Sequence, residues 1–421
     1  MRNVFKFVNS IRPATASVGI FLVAVLSLLL SNVCGIFKYT RPDAKEAGYM
    51  AAVNWSLSFT VFVPAFAFFI LSASRAFSNS ISEMVRRGMI RDSSFDIPQS
   101  IGKTTTALWD GVMRRGNTIF LVLTSLAFAE CVWESIYYSV GPLLHWWRVP
   151  ENKFDWSVAF LGGAPKSLDV ICNATFAVFV YLGLQWTMLV GISVFLVFVY
   201  CLCVFMSDFS SANSPIILVP DLNSNDSRLG MEACEDAIED LLVAAAFGYG
   251  VFLLSRLWNA FLTSTVHTHF GDFLIGDISD GFRSGSQKEA WYSVPVKLLD
   301  LNGFNFSGFW VALAAAVFLA LSFCVLIFIM RVQARYSKTI LIRFLQAKQP
   351  TFIWEGKSRD DCLRILDNME YWPVSYPKPN VLLTYGLFAM VCIIFVRLGL
   401  FYMGLMIYVL VRRVTKTLSA G

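Results

Sequence analysis

Apolar residues along the chain fall into long blocks, with neither the alternation of a half-buried strand nor the one-sided stripe of a soluble helix. Six blocks stand out at residues 16–36, 53–72, 118–138, 170–206, 237–262 and 306–330, and a seventh covers 381–411. A bilayer core of about 30 Å needs roughly 20 apolar residues per helix, so most of these blocks have the length of one crossing. With no water in that core, each crossing has to satisfy its own backbone, which a helix does. The predicted fold class is an all-α integral membrane protein, a polytopic bundle of about 6–8 transmembrane helices with short amphipathic cytoplasmic helices between them.

The fourth block is ambiguous by length, because 37 residues are long for one upright span and tight for two. Charge resolves it, since cytoplasmic loops are enriched in Lys and Arg. If each of the first six blocks crosses once, the N-terminus and segments 73–117, 207–236 and 331–380 share one side and carry 20 of these residues, against 9 on the other side. Splitting the fourth block would bring the basic segments onto opposite sides, so one long helix is expected. Tyr137, Tyr138, Trp146, Trp147 and Trp156 gather beyond the third block, with Trp291 and Tyr292 in another outer loop, as headgroup-level aromatics do. The N-terminus is then cytoplasmic and the membrane is the cell inner membrane. The first block reads as an uncleaved span, because Ser31-Asn32-Val33 makes a poor signal-peptidase site.

The chain divides accordingly. Residues 1–72 hold the first two spans, 73–117 form a basic cytoplasmic segment, and 118–330 hold spans three to six, with an acidic loop at 207–236 and an outer loop at 263–305. Residues 331–380 are a second basic, helical segment, and 412–421 a tail. Arg397 interrupts the last block, and Arg412, Arg413 and Lys416 follow it; a short hairpin over 381–411 that returns this basic tail to the cytoplasm is expected over a single crossing. In the first basic segment, helices over 80–89 and 99–115 are predicted, the first placing Ile81, Met84, Val85 and Met89 beside Arg86, Arg87 and Arg91 as on an anionic membrane surface. In the second, Ser358 and Asp361 form a capping box ahead of a short helix carrying Cys362, Ile365, Leu366 and Met369.

Composition changes the picture only by exclusion. At 56% hydrophobic and 15% charged residues, no soluble, disordered or nucleic-acid-binding class fits. The nine cysteines avoid the outer loops, which predicts reduced, packed thiols.

Candidate chemistry centres on ionisable residues at membrane depth, where each charge costs a few kcal/mol and usually has a partner or a task. Counted at about 1.5 Å per residue from each block's cytoplasmic end, Glu130, Glu134, Arg397, Asn32 and Arg256 all lie beyond the midpoint of a core of about 30 Å, which predicts an ion-pair layer or polar constriction. Asp221, Asn223, Asn225 and Glu232 match positions 1, 3, 5 and 12 of a calcium loop, although Asp226 stands where the loop needs glycine. His267, His269 and Asp272 could ligate a metal in the outer loop. Gly102-Lys103-Thr104 matches the end of a phosphate loop, but Ile97 occupies the required first glycine. Ala312, Ala316 and Ala320, and Ala244 with Gly248, form small-residue stripes that let helices approach, either within the bundle or between copies.

No cofactor is expected, and no catalytic motif appears at membrane depth. The expected function is non-enzymatic, channel-like or membrane-permeabilising, with the effector of a bacterial toxin or antiviral defence system as one setting and a solute or ion transporter as the alternative. The expected partners are the bilayer, through anionic headgroups under the basic segments, and a second copy of the chain or a cytoplasmic protein, with no direct role for nucleic acid.

Overall fold

In the computed structural model the described residues are 4–34, 53–137, 167–209, 214–263, 326–372, 378–394 and 399–420. A short helix α1 (Val4–Ser10) leads into α2 (Pro13–Val33), whose Pro13 sits in the first turn, where its missing N–H costs nothing. Helix α3 (Val53–Leu57) passes through a π turn (Ser58–Phe62) into α4 (Val63–Arg86). Helix α5 (Ile101–Ser135) follows. Then α6 (Ser167–Phe179), a second π turn (Val180–Gln185) and α7 (Trp186–Asp208) form one rod with no reversal across the fourth apolar block. Next come α8 (Glu235–Thr263) and α9 (Leu326–Ala347). Among the described residues five helices are long and apolar enough to cross a bilayer: Pro13–Val33, Trp55–Arg86, Ile101–Ser135, Ala174–Asp208 and Met231–Ser255. Most of the sixth apolar block lies outside the described residues.

The bundle packs through aromatic rings and small residues. Phe62 and Phe69 of the α4 rod meet Phe247 of α8 at 5.7 and 5.9 Å between centroids, and a Cβ on Gly250 would run into the Phe62 ring, so glycine permits this approach. Ala244 and Gly248 are buried in the same helix, within the bundle. Phe66 meets Phe195 and Phe77 meets Phe205, so α4 and α7 run side by side in the same direction.

The separate surface helices expected over 80–89 and 99–115 do not exist as such. The first is the end of α4 and the second the start of α5. Ile81, Met84 and Met89 are buried in the protein core, which takes the apolar face that the sequence alone would give to lipid.

Short β ribbons at one end of the bundle were not foreseen. Strand β1 (Ile90–Asp92) pairs antiparallel with β2 (Ile216–Leu218), Ile90 opposite Leu218. Strands β3 (Ile353–Trp354) and β4 (Lys357–Ser358) form a hairpin whose turn residues Glu355 and Gly356 have φ of 49° and 81°, the positive pair that a two-residue hairpin turn needs. Helix α10 (Arg359–Asp367) starts as its capping box predicts, with Ser358 Oγ accepting from the Asp361 N–H at 3.2 Å. Ile217, Val219, Leu222 and Leu229 share a second hydrophobic core with Leu341, Leu345, Trp354, Cys362 and Leu366. Three stretches distant in sequence, around 88–100, 214–235 and 331–371, thus build one polar cap.

Beyond it, α11 (Pro379–Ile394) and α12 (Gly399–Ala420) fold back on each other. The Tyr385 and Tyr402 rings lie 6.2 Å apart, whereas 17 residues of straight helix would separate them by about 25 Å.

At the end of the bundle away from the cap, Cys34, just after α2, is joined to Cys172 of α6 in a disulfide with Cα atoms 5.8 Å apart, which corrects the expectation of reduced thiols throughout. Cys34 caps α2 and Cys172 lies in the second turn of α6, both outside the loops, where sequence alone gives no sign that the two helices meet. Alkylation of the denatured, unreduced protein should leave Cys34 and Cys172 unmodified and reduction should expose both; a peptide map with either alkylated before reduction overturns the pairing.

Candidate functional site

Arg91 is the junction of the cap. Position 91 of β1 is only 9% exposed, so its guanidinium needs partners for every donor it turns inward. Nε donates to the Gly88 carbonyl at 2.9 Å, Nη1 to the Phe95 carbonyl at 3.2 Å, and Nη2 pairs with the Glu355 carboxylate. The plane lies 4.4 Å from the Trp354 ring, a cation–π contact. Glu355 also accepts from the Asn223 amide at 2.9 Å, and Lys357 donates to the Leu222 carbonyl, which draws the acidic loop into the same junction. Around it, Phe95 stacks on Phe344 at 4.0 Å and Trp354 meets Phe344 edge-on at 5.3 Å. The Asp92 carboxyl is held below its usual range chiefly by the Ser94 hydroxyl, and burial pushes the Cys362 thiol up. A second set of charges ties α4 to the loop before α8: Arg87 bridges Glu83 at 2.7 Å and Glu232 at 2.9 Å, and Arg228 pairs with Glu235 at 2.9 Å.

This geometry takes the calcium-loop residues elsewhere. Glu232 faces Arg87, Asn223 faces Glu355, Asp221 Oδ1 accepts from the Asn223 N–H at 2.9 Å in a local turn, and Asn225 is exposed. Among the described residues no group of three or more His, Cys, Asp or Glu side chains could hold a metal. His267, His269 and Asp272, like Ala312, Ala316 and Ala320, fall outside the described residues.

Of the predicted membrane charge layer, the described residues place the side chains of Glu134, Glu130 and Asn32. Glu134 Oε2 accepts from the Gln185 amide at 2.5 Å, across α5 and the second π turn. Glu130, one turn earlier on α5, is exposed, as is Asn32 on α2. The Arg256 side chain and Arg397 lie outside what is described. Gln185 was not among the residues expected in that layer, although a glutamine inside an apolar block marks it.

Other polar contacts at depth carried no signal of type or spacing. Tyr249 donates to the Ala389 carbonyl, and Tyr402 donates back to the Ala246 carbonyl at 2.9 Å, with both rings fully buried and 5.2 Å apart. This reciprocal pair fastens the α11–α12 hairpin to α8. Nearer the cap, Ser72 donates to Asp240 Oδ2 at 2.6 Å. Comparison with protein-family models, with curated proteins and with solved structures finds no match, so the geometry alone guides the functional reading.

Two outcomes follow. Arg91→Ala should cost the cap about 3–5 kcal/mol, as for one member of a buried ion pair, while Arg91→Ala with Glu355→Ala should cost less than the sum of the single changes. Thermal unfolding followed by tryptophan fluorescence would read both, and strict additivity would dissolve the pair. Tyr402→Phe, which removes one interhelical hydrogen bond, should cost only about 0.6–1.7 kcal/mol. A loss several times larger in the same assay would mean that the ring's packing had been disturbed.

Proposed function

We propose that this chain is a multi-pass protein of the cell inner membrane, non-enzymatic and channel-like, in which the cap controls an ion-permeable path between the spans. The observation that carries the reading is the Glu134–Gln185 contact: a carboxylate and an amide meet between two apolar helices, where a polar group without a task is costly. Basic residues concentrated in the cap-side segments support a cytoplasmic cap and N-terminus. The Cys34–Cys172 disulfide at the opposite end supports the same orientation, since disulfides persist on the oxidising side of a membrane. The membrane effector of a toxin or phage-defence system is one setting for such an activity, and the genes beside this one test that setting.

A transporter is the second reading, favoured by the π turns in two of the apolar helices. Such irregular turns cluster at functional sites, and transporters bind their cargo where midplane helices depart from regularity.

Overproduction should depolarise cells as read by a potential-sensitive dye, and purified protein in planar bilayers should conduct. Glu134→Gln and Gln185→Leu should each change conductance or its voltage dependence, since a charge moved through 100 mV exchanges about 2.3 kcal/mol with the field. An unchanged potential together with saturable uptake of a defined solute by proteoliposomes would overturn the channel in favour of the transporter.

A further inference from the structure

Helix α1 is seated on the cap-side ends of α4 and α5, and its seat is incompletely satisfied. Phe5 is fully buried and packs on Phe120 at 5.4 Å, its N–H donates to Asn117 Oδ1 at 3.0 Å, and Arg75 donates to the Ser10 carbonyl at 2.9 Å. On the same inner face Asn9 is 8% exposed, yet neither its amide nitrogen nor its oxygen has a partner among the described residues. A buried amide without partners opposes docking. A contact on the other face of the helix would add to what Phe5 and these hydrogen bonds supply.

The outer face of α1 shows what that contact is. Phe7 is 68% exposed and Val4 39%, which water alone would not favour at neighbouring turns of a short helix. Lys6 and Arg12 are exposed on the same short stretch, and Arg114 and Arg115 are exposed on α5 about one turn past Asp110, with which Lys6 pairs at 2.8 Å. Arg12, Arg114 and Arg115 make no ion pair among the described residues. Arg12 immediately precedes the apolar run of α2, and Arg114 and Arg115 stand just before that of α5, so all three lie where the helices enter the bilayer. An exposed aromatic ring and unpaired arginines at the same level of the bundle are the pattern of an interfacial anchor for anionic lipid.

We infer that α1, with Arg12, Arg114 and Arg115, forms a docking site for the headgroup of an anionic phospholipid in the cap-side leaflet. The arginines hold its phosphate and Phe7 enters the acyl region. The site rests on the membrane-spanning reading of α2 and α5, and is independent of whether the protein conducts ions.

Native mass spectrometry of the full-length protein released from detergent, titrated with phosphatidylglycerol or phosphatidylcholine, tests this. The phosphatidylglycerol adduct should form at several-fold lower lipid concentration than the phosphatidylcholine adduct. Arg12→Gln with Arg114→Gln and Arg115→Gln should abolish that preference, the three Arg→Lys changes should keep most of it, and Phe7→Ser should weaken retention of the lipid. Arg364→Gln, in α10, should change nothing. Equal retention of the two lipids, or a preference that survives the triple Gln variant, would overturn the site, and suppression of the adduct by millimolar inorganic phosphate would make it a phosphate site instead. Retention in the membrane after carbonate extraction reports separately on the spans, so a protein that stays in the membrane without lipid preference refutes the site alone.

Discussion

A guanidinium withdrawn from water must recover its hydrogen bonds inside the protein, and Arg91 does so only when three separate stretches of chain are in place. The turn before its strand and the loop after it offer the Gly88 and Phe95 carbonyls, the β3–β4 hairpin offers Glu355 and the Trp354 face, and Asn223 of the acidic loop steadies Glu355 from the other side. The backbone is bent to achieve this. Among the described residues the non-glycine positions with positive φ are Phe95, Leu229 and Glu355, all in the cap, and two of them hold Arg91. Such conformations cost about 1–3 kcal/mol each and persist where surrounding contacts over-determine them. The aromatic cluster of Phe95, Phe344, Phe352 and Trp354 is that surrounding structure.

From the junction the threading of the bundle follows. The end of α4, the start of α5, the end of α7, the start of α8 and the end of α9 must all lie at the cap, because the segments between or beyond them build it. Helix α8 therefore leaves the cap, and the chain is back at it by the end of α9. The disulfide at the other end joins α2 to the α6–α7 rod, so the bundle is fixed at both ends, by ionic and aromatic contacts at one and covalently at the other. Between them the α11–α12 hairpin is held at mid-depth by two tyrosine hydroxyls on backbone carbonyls. In hydrocarbon, where lipid is as apolar as leucine, such interhelical bonds and close packing at residues like Gly250 supply what the hydrophobic effect supplies in water.

What could be read in the sequence was whatever depends on local pattern. Apolar blocks gave the long helices, and Ser358 with Asp361 gave the start of α10 to the residue. The face occupied by Ile81 and Met84 was legible as apolar, but sequence cannot distinguish a lipid from another helix as its partner, and here it is protein. The β1–β2 pairing joins residues more than a hundred positions apart through strands of three residues, too short for an alternation signal. Of the candidate site, Glu134 was legible because a carboxylate in an apolar block is conspicuous. Gln185 carries no charge and stands out only as an amide within an apolar run, and the calcium-like spacing of Asp221 to Glu232 belongs to a loop whose side chains answer to Arg87 and Glu355.

The π turn at 180–185 gives the Glu134–Gln185 contact its significance. Each π turn adds a residue to one helical turn and shifts the register of everything after it, so a rod that packs through Phe195 and Phe205 against α4 would otherwise present a different residue to α5 at the level of Glu134. The irregularity lets a single helix satisfy two neighbours, an aromatic seam on one side and a carboxylate on the other. A helix needed only for packing could have placed an apolar residue there and stayed regular. That a glutamine occupies the turn, and that its second amide atom, Oε1, is buried without a partner among the described residues, means the polar layer is not closed by the Glu134 contact alone. A water donating to Oε1 would complete it, so the polarity at this level is centred on the turn and not on the charges taken singly.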